Sequence, residues 1–196
     1  MACAARQCAP GSITGLGTYL FSTARGLLAP RSEYRPFSSA SYQSTRVDVW
    51  YERKNAERLL DFAVVCAQQP SDRRYADAAA KSAGGAADLY GELKKEAHYA
   101  PMLAAEPPDR AARMKVVPMV VDTFGAWGAA ATTEIQAAAR AISTREGLPY
   151  SASCQRVFQE QNVALIRSMA RNVNAASFVP VRSFCVPPSG GPPDGR

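Results

Sequence analysis

The sequence has few of the residues from which structural zinc sites are built. It contains one histidine, His98, and its five cysteines include no C-x-x-C pair. Because structural zinc sites use cysteine and histidine at short, regular spacings, we expect none in this chain. An odd number of cysteines without framework spacing is typical of reduced thiols, and it favours an intracellular location.

Long hydrophobic runs are also missing, because no apolar stretch approaches the roughly 18 residues that a membrane-spanning helix needs. We therefore expect no membrane partner, and we also expect no small-molecule cofactor. The chain has 196 residues, of which 47% are hydrophobic, so it is long enough for one domain with a substantial core.

Acidic residues are scarce in the first quarter of the chain. Residues 1–45 contain four arginines and one acid, Glu33, which is half of the formal net charge of +6. This composition is typical of an organelle transit peptide, and residues 35–40 resemble a mitochondrial processing site. The equally weighted alternative is a disordered segment, so the expected location is mitochondrial with a real leader and nuclear without one. Residues 177–196 are rich in Pro and Gly and predict a flexible tail.

The remaining residues, 46–176, predict one α+β domain with a small mixed sheet flanked by helices. Strands are predicted over 47–51, 59–66 and 115–122. The first two strands form a hairpin around the turn residue Asn55, and Pro118 places the third strand at an edge or bulge. Helices are predicted over 71–81, 86–105, 132–146 and 151–174, the last two as a C-terminal pair.

Two carboxylates on the predicted hairpin indicate a candidate metal-binding catalytic site. Asp48 and Asp61 lie on neighbouring strands, and Asp61 interrupts an apolar run where a carboxylate is costly unless it is paired or bound to metal. A later helix supplies Lys94, Lys95 and Tyr99. Carboxylate oxygens suit Mg²⁺ or Mn²⁺, and a nearby cation would assist phosphodiester hydrolysis.

The residues around these acids resemble a known nuclease motif. Arg46-Val47-Asp48 and the later LDFAVV (60–65), with twelve residues between Asp48 and Asp61, resemble the RPD…DVTV core of the restriction-like endonuclease in some non-LTR retroelements. GELKKEAHY (91–99) is similar to the K..KY helix of that family, and VPMVVDTFGAWG (117–128) is similar to its FVPxVVETFG segment.

This resemblance, to the C-terminal endonuclease region of retroelement reverse-transcriptase polyproteins, covers about residues 46–176. It implies a PD-(D/E)xK-type fold that nicks target DNA by Mg²⁺-dependent hydrolysis. Asp48 and Asp61 would bind the metal ion. The usual D-x-K lysine would fall at Ala63, so Lys94 or Lys95 would have to serve from the helix.

Other interpretations remain open for each of these residues. Lys94 and Lys95 could form a solvated helix face, and Asp122, which replaces the family's glutamate, could simply cap a turn. DNA phosphate contacts are predicted for Arg46, Arg156 and Arg167. The alternative to an endonuclease is a non-catalytic module, possibly organellar, that binds nucleic acid or protein.

Overall fold

A computed structural model describes residues 31–53, 55–69 and 71–177. Within these ranges, four strands form one mixed sheet in the order β1-β2-β3-β4. The strands are β1 (Arg31–Tyr34), β2 (Val47–Arg53), β3 (Ala56–Val65) and β4 (Met114–Asp122). The predicted α+β class and mixed sheet flanked by helices are therefore confirmed.

The predicted hairpin is formed by β2 and β3, which pair antiparallel from Val49↔Leu60 to Arg53↔Ala56. Its turn is tight, since Asn55 adopts a left-handed conformation with a φ of 61° that asparagine tolerates better than most residues. One step beyond the Val49↔Leu60 pair, this register places Asp48 opposite Asp61.

The third predicted strand, β4, pairs in parallel with β3 and lies at the edge of the sheet. Its edge position accounts for Pro118, which cannot donate a backbone hydrogen bond. A parallel pair needs a long crossover. Helices fill it: α1 (Arg73–Lys81), α2 (Gly85–Tyr90), a π-helical segment (Gly91–Glu96), α3 (Ala97–Ala104) and the short α4 (Pro108–Ala111).

The crossover helices cover one face of the sheet, and the C-terminal helices cover the other. On the crossover side, Leu59 packs with Tyr99 and Met102, and Val65 packs with Tyr75. On the opposite side, the strands pack against α5 (Ala129–Glu146) and α6 (Tyr150–Ser177). The hairpin strand β3 is thus covered on both faces, which explains its nearly continuous apolar sequence.

Helix ends follow local signals in the sequence. The carboxylate of Asp72 accepts a hydrogen bond from the Arg74 backbone N–H and caps α1. Helix α5 ends at Gly147, which is left-handed with a φ of 66°. Among the described residues, no helix combines the length and hydrophobicity needed to cross a bilayer.

The segment predicted as a leader or disordered stretch needs a correction. Residues 31–34 form β1 and pair with β2, and Pro36 and Phe37 are buried. Glu106 binds the backbone N–H and the hydroxyl of Ser38 at 2.6 and 2.7 Å. The folded unit therefore begins by Arg31 and not at residue 46. Residues 1–30 of the predicted leader and 178–196 of the predicted tail lie outside the described residues.

Candidate active site

Asp48 and Asp61 project from adjacent strands onto the same face of the sheet. The two carboxyl groups face each other closely enough that Asp61 raises the pKa of Asp48, and Asp48 Oδ2 accepts a hydrogen bond of 2.7 Å from the Phe62 backbone N–H. The predicted meeting of the two acids therefore occurs. The antiparallel register produces it, because residues directly opposite each other share a face.

Lys95 brings a positive charge to this acid pair from the π-helical segment. Its Nζ lies 2.8 Å from Asp61 Oδ1 and 3.4 Å from the Phe62 carbonyl oxygen. The side chains of Lys95 and Asp61 are only 18% and 15% exposed, so this ion pair is far less screened than a surface salt bridge.

Tyr99, four residues further on, approaches Asp61 from the same side as Lys95. Its hydroxyl donates a hydrogen bond of 2.9 Å to Asp61 Oδ2, and its oxygen lies 3.4 Å from the Arg46 carbonyl oxygen. Burial, together with the nearby charge of Asp61, raises the pKa of Tyr99, so the hydroxyl stays protonated and acts as a donor. Lys95 and Tyr99 therefore fix both oxygens of Asp61.

The pKa of Asp48 is raised from its ordinary value of 3.8 to about 6. Burial is the largest cause, and the charge of Asp61 and its hydrogen bond add to it. The backbone N–H of Phe62 and the charge of Lys95 act in the opposite direction. Two carboxylates forced together in a partly buried site favour one shared proton or one shared cation.

Ala63 occupies the position where a D-x-K motif would carry its lysine, and packing explains the small side chain. It lies on the same strand face as Asp61 and contacts the cluster of Val65, Ala86 and Ala87. The crossover comes close to the sheet here: a Cβ added at Gly91 would lie 3.1 Å from the Pro118 Cβ. The small Ala63 side chain therefore fits where α2 packs on β3.

The other predicted site residues lie apart from this cluster. Lys94 is exposed, and no contact with the acid pair is found for it in the described ranges. Arg156 and Arg167 lie on α6, across the sheet, where Arg156 binds Glu146 at 2.8 Å. Arg46 is near the acid pair in sequence, but its guanidinium binds Glu33 at 3.0 Å.

Asp122, which aligns with the glutamate of the resembled segment, organises a turn. Its Oδ1 accepts backbone hydrogen bonds of 2.9 Å from both Phe124 and Ala126, and its side chain is buried. The same loop continues through Trp127, whose indole N–H donates to Asn162 Oδ1 at 3.2 Å. The interpretation of Asp122 as a turn-forming residue accounts for these contacts.

Sequence reasoning missed an aromatic group beside the acid pair. Trp50, two residues after Asp48, packs against Tyr34 with ring centroids 4.9 Å apart. The Arg31 guanidinium lies 5.4 Å from each ring centroid. Two of these residues fall in the segment predicted as a leader, and the alternation of β2, which places Trp50 and Asp48 on one face, was the available signal.

The chemistry of the donor set fits a hard divalent cation. No group of three or more Asp, Glu, His or Cys side chains suited to hold a metal ion is present in the described part of the chain. Magnesium is commonly held by one or two carboxylates, with water and substrate phosphate oxygens completing the shell. Asp48 and Asp61 supply such a carboxylate pair.

Comparison with known proteins adds no assignment. No protein family model matches this chain, and no curated protein sequence matches it significantly.

Proposed function

We propose that this chain is a divalent-metal-dependent DNA endonuclease domain of retroelement origin with a restriction-endonuclease-like, PD-(D/E)xK-type fold. The observation that carries the proposal is the position of Lys95. The resembled motif requires a lysine beside its two acids, and Lys95 Nζ lies 2.8 Å from Asp61 although position 63 is alanine. The antiparallel hairpin followed by a helical crossover to a parallel strand is also in keeping with that fold.

In this proposal, Asp48 and Asp61 are the protein ligands of Mg²⁺ or Mn²⁺. The bound ion would supply Lewis-acid activation of the scissile phosphate and of the attacking water. Lys95 stabilises the negative charge that develops on the phosphate, or orients the water, from its fixed position beside Asp61. Tyr99 holds Asp61 Oδ2 and so keeps the carboxylate in one orientation.

Lys94 and Lys95 provide a matched pair for testing this assignment. Both lysines belong to the same π-helical segment, but Lys94 is exposed and Lys95 contacts the acid. We expect Lys95→Met to lower the rate of Mg²⁺-dependent plasmid nicking by about 100-fold or more, the usual scale for losing a preorganised electrostatic group. Lys94→Met should remain within about twofold of wild type on the same scale.

Asp61→Asn serves as the control for contamination, and thermal unfolding monitors whether each variant is folded. Nicking by Asp61→Asn at the wild-type rate would place the activity elsewhere, as would equal losses for the two lysine variants. Folded protein that binds DNA without nicking it in Mg²⁺ or Mn²⁺ would instead support the non-catalytic nucleic-acid-binding module.

A further inference from the structure

Arg31, Tyr34 and Trp50 form a contact group, here called the Arg31 platform, in which the two rings are tilted at 40° to each other. The guanidinium lies 5.4 Å from both ring centroids, which is within the range of cation–π contact. Tyr34 and Trp50 are partly buried and pack inward on the cluster that contains Phe37 and Leu59, whereas Arg31 is exposed. The rings therefore lie on the core side of the group, and Arg31 remains accessible to solvent.

The Arg31 platform lies beside the acid pair on the same face of the sheet. Trp50 follows Asp48 by two residues in β2, and Arg31 is directly opposite Trp50 in β1. Two residues of a strand span roughly 7 Å, a distance that one nucleotide of an extended single strand can also span. A strand whose phosphate reached Asp48 could place a neighbouring base at the platform.

We propose that the Arg31 platform stacks an unpaired nucleobase of the DNA strand whose phosphate is held at Asp48 and Asp61. This inference rests on the proposed endonuclease function and specifies its substrate as DNA that is single-stranded next to the scissile phosphate. A guanidinium stacks on base faces, and its positive charge also attracts phosphate. Arg31 can therefore contact both the base and the backbone of the strand.

The preference for an unpaired base follows from geometry. In a duplex, both faces of each base are covered by its neighbours, and only an unstacked base offers a face to a protein platform. Trp50 also has a fixed orientation, because its indole N–H donates to Glu57 Oε2 at 3.0 Å. The Trp50 ring is thus held in place before any ligand binds, which lowers the entropic cost of stacking.

The test compares Arg31→Lys with Arg73→Lys, because both changes keep the charge and remove the planar group. Arg73 lies on α1 with its side chain 91% exposed. Affinity is measured by fluorescence anisotropy with labelled DNA oligonucleotides, single-stranded or duplex, with Ca²⁺ replacing Mg²⁺. Arg31→Lys should lower single-strand affinity about tenfold, the scale of one lost base stack, and duplex affinity less than about twofold. Arg73→Lys should change neither affinity by more than about twofold.

Trp50 supplies an independent readout, since Trp50 and Trp127 are the two tryptophans of the chain. In a Trp127→Phe background, the single-stranded oligonucleotide should quench Trp50 emission, and the duplex should not. Equal effects of Arg31→Lys and Arg73→Lys on single-strand affinity would overturn the platform. Unchanged Trp50 emission on addition of the single strand would overturn it as well.

The failures of the two proposals are distinguishable because this binding assay needs no hydrolysis. Mg²⁺-dependent nicking with no single-strand preference overturns the platform alone. Quenching of Trp50 without nicking supports the platform and overturns the endonuclease.

Discussion

Replacing Asp48 with asparagine should stabilise the folded chain at neutral pH although it removes a proposed metal ligand. Asparagine has nearly the same shape, and its Oδ1 can still accept the hydrogen bond from Phe62 N–H. Its amide can donate permanently to Asp61, as the carboxyl of Asp48 does only while it is protonated. The substitution therefore mimics the protonated acid pair and removes the cost of ionising it.

The size of this effect follows from the pKa of Asp48, which is raised from 3.8 to about 6. At about 1.4 kcal/mol for each pH unit, the ionised form is disfavoured in the folded state by about 3 kcal/mol. Asp48 is partly exposed, and solvent screening reduces this to about 1–2 kcal/mol.

The direction of the Asp48 pKa shift determines the pH range over which stability changes. Between pH 3.8 and about 6 the folded state binds more protons than the unfolded state, so wild-type stability falls as the pH rises. The advantage of Asp48→Asn should therefore be small near about pH 4 and reach its full size above about pH 7.

Urea unfolding in EDTA across this pH range measures the difference directly, with circular dichroism as the signal. Mg²⁺ should then stabilise wild type more than Asp48→Asn, because the ion binds only the folded acid pair. Lower stability of Asp48→Asn at about pH 8, or the same gain at about pH 4 and pH 8, would refute the shared-proton account.

Two further predictions concern the loop that follows β4 and the α1–α2 connection that contacts it. Gly84 and Gly125 both have positive φ, but a Cβ at Gly84 would lie 2.3 Å from the Trp127 carbonyl oxygen, and one at Gly125 would meet nothing within 4 Å. In urea unfolding, Gly125→Ala should lower the free energy of unfolding by roughly 1 kcal/mol, and Gly84→Ala should lower it by about 2 kcal/mol more. Equal losses would contradict the close approach of Gly84 to Trp127. Asp122→Ala should lose about 2 kcal/mol because two backbone N–H groups lose their acceptor, while Asp122→Asn should keep both stability and nicking. Loss of nicking in folded Asp122→Asn would instead assign that residue a part in the chemistry.

The hairpin and the position of its acids could be predicted because their signals are local. Apolar runs around Asp61 mark a strand covered on both faces, and Asn55 marks the turn between the strands. Edge placement of β4 was likewise readable from Pro118, whose missing N–H restricts where the strand can lie.

The edge strand β1 was not predicted, because the amino-acid composition of this segment favoured a leader and no strand pattern was visible in it. The Arg- and Ser-rich bias around Arg31 resembles a transit peptide, and four residues are too few for a periodicity to emerge. Their pairing with β2 depends on tertiary contacts, among them the tilted ring contact of Tyr34 with Trp50. The choice of Lys95 over Lys94 was also beyond the sequence, since adjacent lysines differ only through how the π-helical segment faces the sheet.

The supply of Lys95 from a helix has a consequence for the order in which this chain assembles. Asp48 and Asp61 meet when a short hairpin closes, but Lys95 arrives only after the crossover has docked on the sheet. Loop-closure entropy makes the longer-range contact the later of the two. A partly folded chain would hold the acid pair without its cation, so the proposed activity would require the docked crossover as well as the hairpin.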